Sequence, residues 1–507
     1  MNEENFYNLV DEPWIPVLMQ DGTNRRVSLG EVFSDSDGAI ADLALNPYER
    51  VAVFRLLLCI AQAALGPERL KDERAWRGAK AAVGPVSADY LKKWHDRFFL
   101  YGPHAFLQPD CVFPAKEDGA KPCSNLMFER ASGSNSTLFD HAAIDERSFP
   151  AWIVCLNLIV YQNFSAGGGS PQCIWDGKIT PFRGIRSAPC YEQSMLFSIL
   201  CGKTLLESVW LNLLTYSVIQ NTLLVEWGQP VWEFETQQRD AVSSLAKTYL
   251  GVLAPLSRVI KLYSGGSRCI IGEGVAHPSL PEWREPMASV KLNRKGEPSY
   301  VSADPGRMPW RELVSILAVH ETMGRKAALA LCHIESLPEE TAFTLWVGGL
   351  CWERGQAKQV DTVEWKARLS VSLLEEPAMQ RYENAINYAD RQQKALYAAT
   401  AEYAQKMKSP SDDKKIKAEQ IASYSVPAER IYWDILAQPE NQKLVLDVDS
   451  PTYMDNWKAA TLKAAKEAYE RACPSTTARQ MESYAQGVSK LRVRDDNVKA
   501  QSSQGAS

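Results

Sequence analysis

The sequence predicts an α+β protein: a large mixed α/β domain over residues 1–365, then an antiparallel four-helix bundle over 366–493. Three observations carry that prediction. The chain has 507 residues, more than one compact core usually holds, so at least two domains are expected. Up to about residue 365, short strand-like and helix-like runs alternate, punctuated by glycine and proline. Beyond that point glycine nearly disappears, Ala, Gln, Lys and Glu rise, and apolar residues recur at helical spacing. The final stretch, 494–507, is polar and is expected to be a disordered tail.

The opening "FYNLVDEPWIPVLMQDGTNRRVSLGEVF" reads as strand, turn and strand. Trp14, Ile15 and Val17 supply its apolar positions and Asp21-Gly22 the hairpin turn. Residues 47–65 are helical, with Pro47 suited to the first turn and Gly66-Pro67 closing the run. Another helix is expected over 88–97, and apolar buried helices over 150–162 and 191–226. Strands are expected near 258–263 and 287–302, the latter a hairpin with Arg294 and Lys295 beside Gly296 at its tip. A run rich in Leu and Trp is expected to end at Gly348-Gly349. In the C-terminal domain Tyr382, Ile386, Ala389, Leu396, Tyr403 and Met407 mark one face of the first helix. The second leads through Ile431, Ile435 and Leu436, Ser450-Pro451 opens the third, and the fourth spans about 475–492.

Composition narrows the function classes. Apolar residues make up 45% and charged residues 23%, as in globular proteins rather than disordered ones. The apolar runs Ala151–Val160 and Val53–Ala64 are too short to span a bilayer, and "MNEENFYNL" lacks the parts of a signal peptide; a cytoplasmic location is expected. The eleven cysteines are scattered through apolar stretches without a C-x-x-C pair, and six histidines are widely separated, so reduced thiols and no metal are expected. A net charge of −5 argues against a protein that holds nucleic acid by its overall field, and leaves room for local basic patches.

The candidate chemistry centres on "NFSAGGGS", residues 163–170. A P-loop needs a glycine five residues before Gly177-Lys178 and a hydroxyl after it, whereas Gln172 and Ile179 stand there. A dinucleotide fingerprint on Gly167 and Gly169 fails at the same Gln172. A flexible surface turn remains, or a backbone stripped of Cβ atoms so that it can press against a ligand surface such as a DNA groove. Gly355-Gln356, in "GGLCWERGQAKQ", is either a solvated turn or a glutamine projected into a base-pair step. Asp140-His141 invites a metal or general-base role, but Ser134, Asn135 and Ser136 around it read as a polar capped turn. No G-x-S-x-G elbow or cysteine–histidine pairing supports nucleophilic catalysis. Arg294-Lys295, with Arg258, Lys261 and Arg268, is a solvated basic face or a phosphate contact.

Several stretches in order are familiar: "FYNLVDEPWIPVL", "NPYERVAVFRLLLCIAQAALGP", "YLKKWHDRFFLYGPHAFLQPD", "SNSTLFDH", the glycine loop and "GQAK". Together they resemble the CasA-type large subunit of Cascade, the type I-E CRISPR surveillance complex. The resemblance covers nearly the whole chain. It implies a non-enzymatic subunit without cofactor that inspects the short motif beside the target in double-stranded DNA while guide RNA reads the target itself. It also implies help in opening the duplex (R-loop formation), contacts with small and backbone subunits, and recruitment of a helicase-nuclease.

By the resemblance, Ala166, Gly167, Gly168 and Gly169 approach the minor groove, and Gln356 beside Gly355 is the wedge. A loop containing Asn135, Thr137, Leu138, Phe139 and Asp140 anchors near the 5′ end of the guide and joins in motif inspection. Three departures stand out. Ser165 replaces a glycine that can begin the loop, the cysteine pairs of some members are missing, and a groove-reading lysine has no aligned position. Arg268 or the Arg294-Lys295 tip is the expected substitute for that lysine. The competing expectations are an enzyme with a site near Asp140-His141 and a scaffold whose bundle only bridges other proteins.

Overall fold

The computed structural model describes residues 7–117, 119–128, 147–234, 238–263, 265–321, 324–337, 342–352, 359–407 and 414–493. The chain divides into two compact units, Met1–Val371 and Ser372–Ser507.

The first unit begins as expected. β1 (Ile15–Met19) pairs antiparallel with β2 (Asn24–Val27), and β3 (Ile40–Leu43) lines the other edge of β1. Gly22 takes φ +83° in the connecting turn, and the Asp21 carboxylate accepts from the Thr23 N–H and hydroxyl. α1 (Leu29–Phe33) opens on a capping box between Ser28 and Glu31.

α2 (Pro47–Arg69) also opens on a capping box, Asn46 with Glu49, with Pro47 in its first turn. Its regular path breaks at Gly66, at φ +68°, and a last short turn continues to Arg69. By length and composition α2 could cross a membrane, but 72% of its most apolar window is buried inside the unit. α3 (Glu73–Ala79) and α4 (Val83–Lys93) follow. α4 starts five residues before the expected position, because Gly84 and Pro85 fall in its first turn, where proline is tolerated.

The remaining strands form small antiparallel sheets. β4 (Val112–Pro114), β7 (Cys173–Trp175) and β8 (Lys178–Ile179) make one, and β5 (Lys121–Pro122), β12 (Arg268–Glu273) and β11 (Arg258–Leu262) another. β6 (Gly168–Gly169) pairs with β9 (Arg183–Ile185), and β13 (Val290–Leu292) with β14 (Pro298–Tyr300). The longest ladder is β10 (Phe197–Cys201), β15 (Ala342–Trp352) and β16 (Gln359–Ser370), with β15 central. Between them lie α5 (Ala151–Phe164), α6 (Leu205–Leu211), α7 (Tyr216–Val218), α8 (Arg239–Leu245), α9 (Tyr249–Leu253) and α10 (Leu313–Ile316).

Two expectations are corrected. Residues 191–226 are not all helical: β10 occupies 197–201, with four of its five residues buried. A short apolar run covered on both faces looks the same in sequence whether strand or helix. Gly348 and Gly349 do not end an element but lie inside β15, opposite Glu364 and Val363. A Cβ on Gly348 would meet the Trp346 ring at 2.5 Å, and one on Gly349 the Met195 carbonyl at 2.6 Å. Close packing, not a turn, requires these glycines.

The second unit is helical: α11 (Glu376–Lys406), α12 (Lys414–Leu436), α13 (Pro439–Leu446), α14 (Tyr453–Ala472) and α15 (Ala478–Val488). Tyr382, Ile386, Ala389, Leu396 and Tyr403 are buried on one stripe of α11, which packs against α12, α14 and α15. The Trp457 indole donates to the Ala385 carbonyl at 2.8 Å, and the Tyr432 hydroxyl to that of Ala389 at 3.0 Å. The short α13, with Pro439 in its first turn, adds a helix to the four expected. The expected division at 365/366 falls inside β16, whose pairing continues to Ser370, so the units part after Val371. Residues 494–507 lie outside the described residues.

Two buried polar groups of the first unit have well-defined partners. The Arg55 guanidinium, fully buried, donates to Asn163 Oδ1 at 2.9 Å, Glu285 Oε1 at 2.5 Å and the Val252 carbonyl at 2.5 Å. His333 stacks on Trp76 at 4.1 Å with its Nε2 2.7 Å from the Leu213 carbonyl, and Trp76 stacks in turn on Trp210. Burial pulls the His333 pKa down to about 4. Burial, then the charge of Arg55, pulls His277 down to about 3.

Both sets of groups can be tested by stability measurements. Arg55→Met strands the Glu285 carboxylate in the interior and should cost about 3–5 kcal/mol in chemical denaturation, with partial recovery in the Arg55→Met/Glu285→Met double variant. The histidines are neutral when folded and protonate more readily when unfolded. Their contribution is therefore complete above about pH 6.5 and is lost as pH falls through the window towards 4, by up to about 1.4 kcal/mol per pH unit for each. Melting temperatures at pH 7 and pH 5 check this: His333→Gln should narrow the gap between them, and an unchanged gap would refute the assignment.

Candidate functional site

α5 ends at Phe164, and Ser165 turns the chain extended at φ −63°, ψ 133°. The glycines that follow are one arm of a two-stranded ladder, Gly168 opposite Ile185 and Gly169 opposite Arg183. Two of the three glycines meet different constraints. A Cβ on Gly167 would sit 2.7 Å from the Ile185 carbonyl and 3.0 Å from the Ser187 amide. Gly168 has open space but φ +107°, which L side chains rarely adopt. Gly169 has neither restriction, and it and Gly168 present bare backbone outward.

The loop is anchored rather than slack. The Gly167 N–H donates to Ser187 Oγ at 3.0 Å, the Ala188 N–H to the Ser165 carbonyl at 2.9 Å, and the Ser170 N–H to the Phe182 carbonyl at 3.2 Å. Beneath it, buried Arg258 donates through Nη2 to the Ala166 carbonyl at 2.5 Å and through Nη1 to the carbonyls of Arg186 at 3.1 Å and Ser257 at 2.6 Å. Arg258 is thus neither a solvated residue nor a phosphate contact, contrary to the sequence reading. Its backbone is gripped by the Gln162 side chain, whose Oε1 accepts from the Arg258 N–H and whose Nε2 donates to its carbonyl, both at 2.9 Å. Burial lowers the Arg258 pKa, though a guanidinium stays charged. Glu273, opposite Arg258 across β11–β12, gives its carboxylate to Arg239 at 2.8 Å.

Around the loop the surface is basic and aromatic. Lys178, Arg183 and Arg186 are exposed and make no ion pair among the described residues. Phe182 is 54% and Ile179 61% exposed, and the Arg183 guanidinium lies 5.9 Å from the Phe182 ring centre. A groove of about 690 Å³ runs beside Gly167 and Gly168, walled by Arg186, Tyr191, Glu192 and His277. Burial raises the Glu192 carboxyl pKa. The sequence reading missed this basic set, although its signal was present: Lys178, Phe182, Arg183 and Arg186 interleave charge and aromatic directly after the glycines.

The other expected residues fall elsewhere or outside the described residues. Arg268 donates to the Ala120 carbonyl at 2.9 Å and lies opposite Tyr263, roughly 17 Å along β11 from Arg258. Arg294 and Lys295 are exposed at the β13–β14 tip, where the described contact is local, the Lys295 N–H to Asn293 Oδ1 at 2.8 Å. Asn135, Thr137, Leu138, Phe139, Asp140 and His141 lie outside the described residues, as do Gly355 and Gln356.

The segments leading to those residues nevertheless meet. Phe128, the last described residue before 129–146, stacks on Tyr161 of α5 at 5.8 Å and meets Trp352 edge-on at 5.6 Å. Trp352 is the last described residue before 353–358, and Tyr191 of the groove lies 4.6 Å from it. One aromatic cluster therefore joins the roots of three segments far apart in sequence.

Residues 8–470 match the family described as CRISPR-associated protein Cse1. The chain is 28% identical over 516 residues to the CRISPR-associated protein CasA/Cse1 of Thermus thermophilus, covering 95% of each. The crystal structure of Thermus thermophilus CasA superposes with a TM-score of 0.76 at 25% identity, over 96% of this chain and 98% of that one. Thermobifida fusca Cse1 gives 0.73 at 20% identity, over 96% and 98%. A chain from a structure titled CRISPR RNA-guided surveillance complex gives 0.72 at 16% identity, over 96% and 99%. The last two show the shared fold. With the family match spanning most of its length, the chain belongs to the CRISPR-associated Cse1 family, as a protein of the CasA type.

Proposed function

We propose that this chain is the non-catalytic large subunit of a type I-E CRISPR RNA-guided surveillance complex, and that it inspects the motif flanking the target in double-stranded DNA. The observation that carries the reading is the convergence just described. The roots of the 129–146 segment, the glycine loop and the 353–358 segment meet on Phe128, Tyr161, Tyr191 and Trp352. On this reading Gly168 and Gly169 bring backbone to the minor groove, whose edge pattern is degenerate and suits a permissive, shape-based reader. Gln356 beside Gly355 enters the first base-pair step, offsetting part of the few kcal/mol that unstacking costs. The segment with Asn135, Thr137, Leu138, Phe139 and Asp140 anchors at the guide RNA, which supplies sequence specificity by pairing. The helical unit meets small subunits, and the assembled complex recruits a helicase-nuclease. A net charge of −5 is compatible with this division of labour, because RNA and backbone subunits supply most of the hold.

Two experiments in reconstituted complex test the reading. Gln356→Ala and Gly168→Asp should each weaken target-duplex binding and slow R-loop formation, and both defects should shrink on a target already opened beside the motif. If both variants bind and open duplex like the parent, the site assignment is wrong. Replacing Lys178, Arg183 and Arg186 together by alanine should flatten the dependence of log affinity on log salt, by about 0.9 for each phosphate that these cations neutralise. An unchanged salt slope would remove these residues from the interface.

A further inference from the structure

We infer that Arg258, with Ser187, is the positioning element of the glycine loop: together they fix its backbone in the presenting conformation from the side turned away from the ligand. The inference rests on the reading of that loop as the face that inspects duplex DNA. Three observations carry it.

First, the grip is specific to backbone. Arg258 bridges the flanks of the β6–β9 ladder, reaching the Ala166 carbonyl just before one arm and the Arg186 carbonyl just past the other. Ser187 Oγ takes the Gly167 N–H. A loop without side chains cannot pack itself, so its conformational entropy must be restrained through its amides and carbonyls.

Second, Arg258 is itself held on all sides. Gln162 bonds both its N–H and its carbonyl, the Ser257 hydroxyl donates to the Gln162 carbonyl, and neighbouring Asn163 is locked by Arg55. The clamp is therefore continuous with the core.

Third, the charge is only loosely compensated. The hydrogen bonds of Arg258 go to carbonyl oxygens, while the Glu273 carboxylate is engaged by Arg239. A guanidinium just beneath a loop that lacks side chains places positive potential where a phosphate-lined groove would approach, with less screening than an exposed lysine gives. Arg258 itself touches no DNA; it acts through the loop.

The test uses the reconstituted complex with Arg258→Lys, Arg258→Met and Ser187→Ala, alongside Gly168→Asp. The readout is the ratio of affinities for targets with accepted and rejected flanking motifs, measured on closed duplex and on a target pre-opened beside the motif. Loss of folded protein scales all affinities equally and leaves that ratio untouched. A loosened loop should shrink the ratio by about tenfold on closed duplex for Arg258→Met, and less for Arg258→Lys. Binding to the pre-opened target should hardly change. If Gly168→Asp alters the ratio while the Arg258 and Ser187 variants do not, the clamp is refuted and the loop reading stands. If Gly168→Asp also leaves it unchanged, the loop reading fails first. Should the Arg258 variants not assemble, Ser187→Ala decides alone: a reduced ratio supports the clamp and an unchanged one overturns it.

Discussion

The first unit depends on one buried cation. Arg55 projects from the middle of α2 and binds groups 108, 197 and 230 residues away in sequence. A guanidinium can hold three partners in fixed directions because its donors form a rigid plane. Its interior position would be prohibitive without them. Through Asn163 it fixes the end of α5, and through Glu285 and Val252 it ties that end to the chain on either side of the β11–β12 hairpin. Everything attached to the end of α5 inherits that reference point.

The glycine loop is the main heir. It begins two residues after Asn163 and is re-fastened by Arg258 and Ser187 before it reaches the surface. The outcome is a stretch of bare backbone with little freedom, the reverse of what three consecutive glycines suggest. On the proposed reading, a loop ordered in advance would give up little entropy on meeting DNA. Of the exposed cations beside it, Arg183 is carried on the same ladder, while Lys178 sits on β8 of a separate sheet.

Sequence made the local features legible. Asp21-Gly22, Pro47 and the stripe on α11 each announce their element through a nearby signal, and the order of motifs pointed to the right family. What it hid were facts decided by distant partners. Arg258 stands among other basic residues with no local mark of burial, since its loop partners lie 92 and 72 residues away. β10 was unreadable for a related reason: a short apolar run covered on both sides lacks the alternation that identifies a strand. The glycines of β15 looked like a terminus because sequence does not show the rings and carbonyls that crowd them.

The aromatic cluster of Phe128, Tyr161, Tyr191 and Trp352 has an evolutionary consequence. Roots that interlock are costly to change one at a time, since any substitution disturbs three segments together. Compensating changes at these four rings are therefore expected to come together rather than singly.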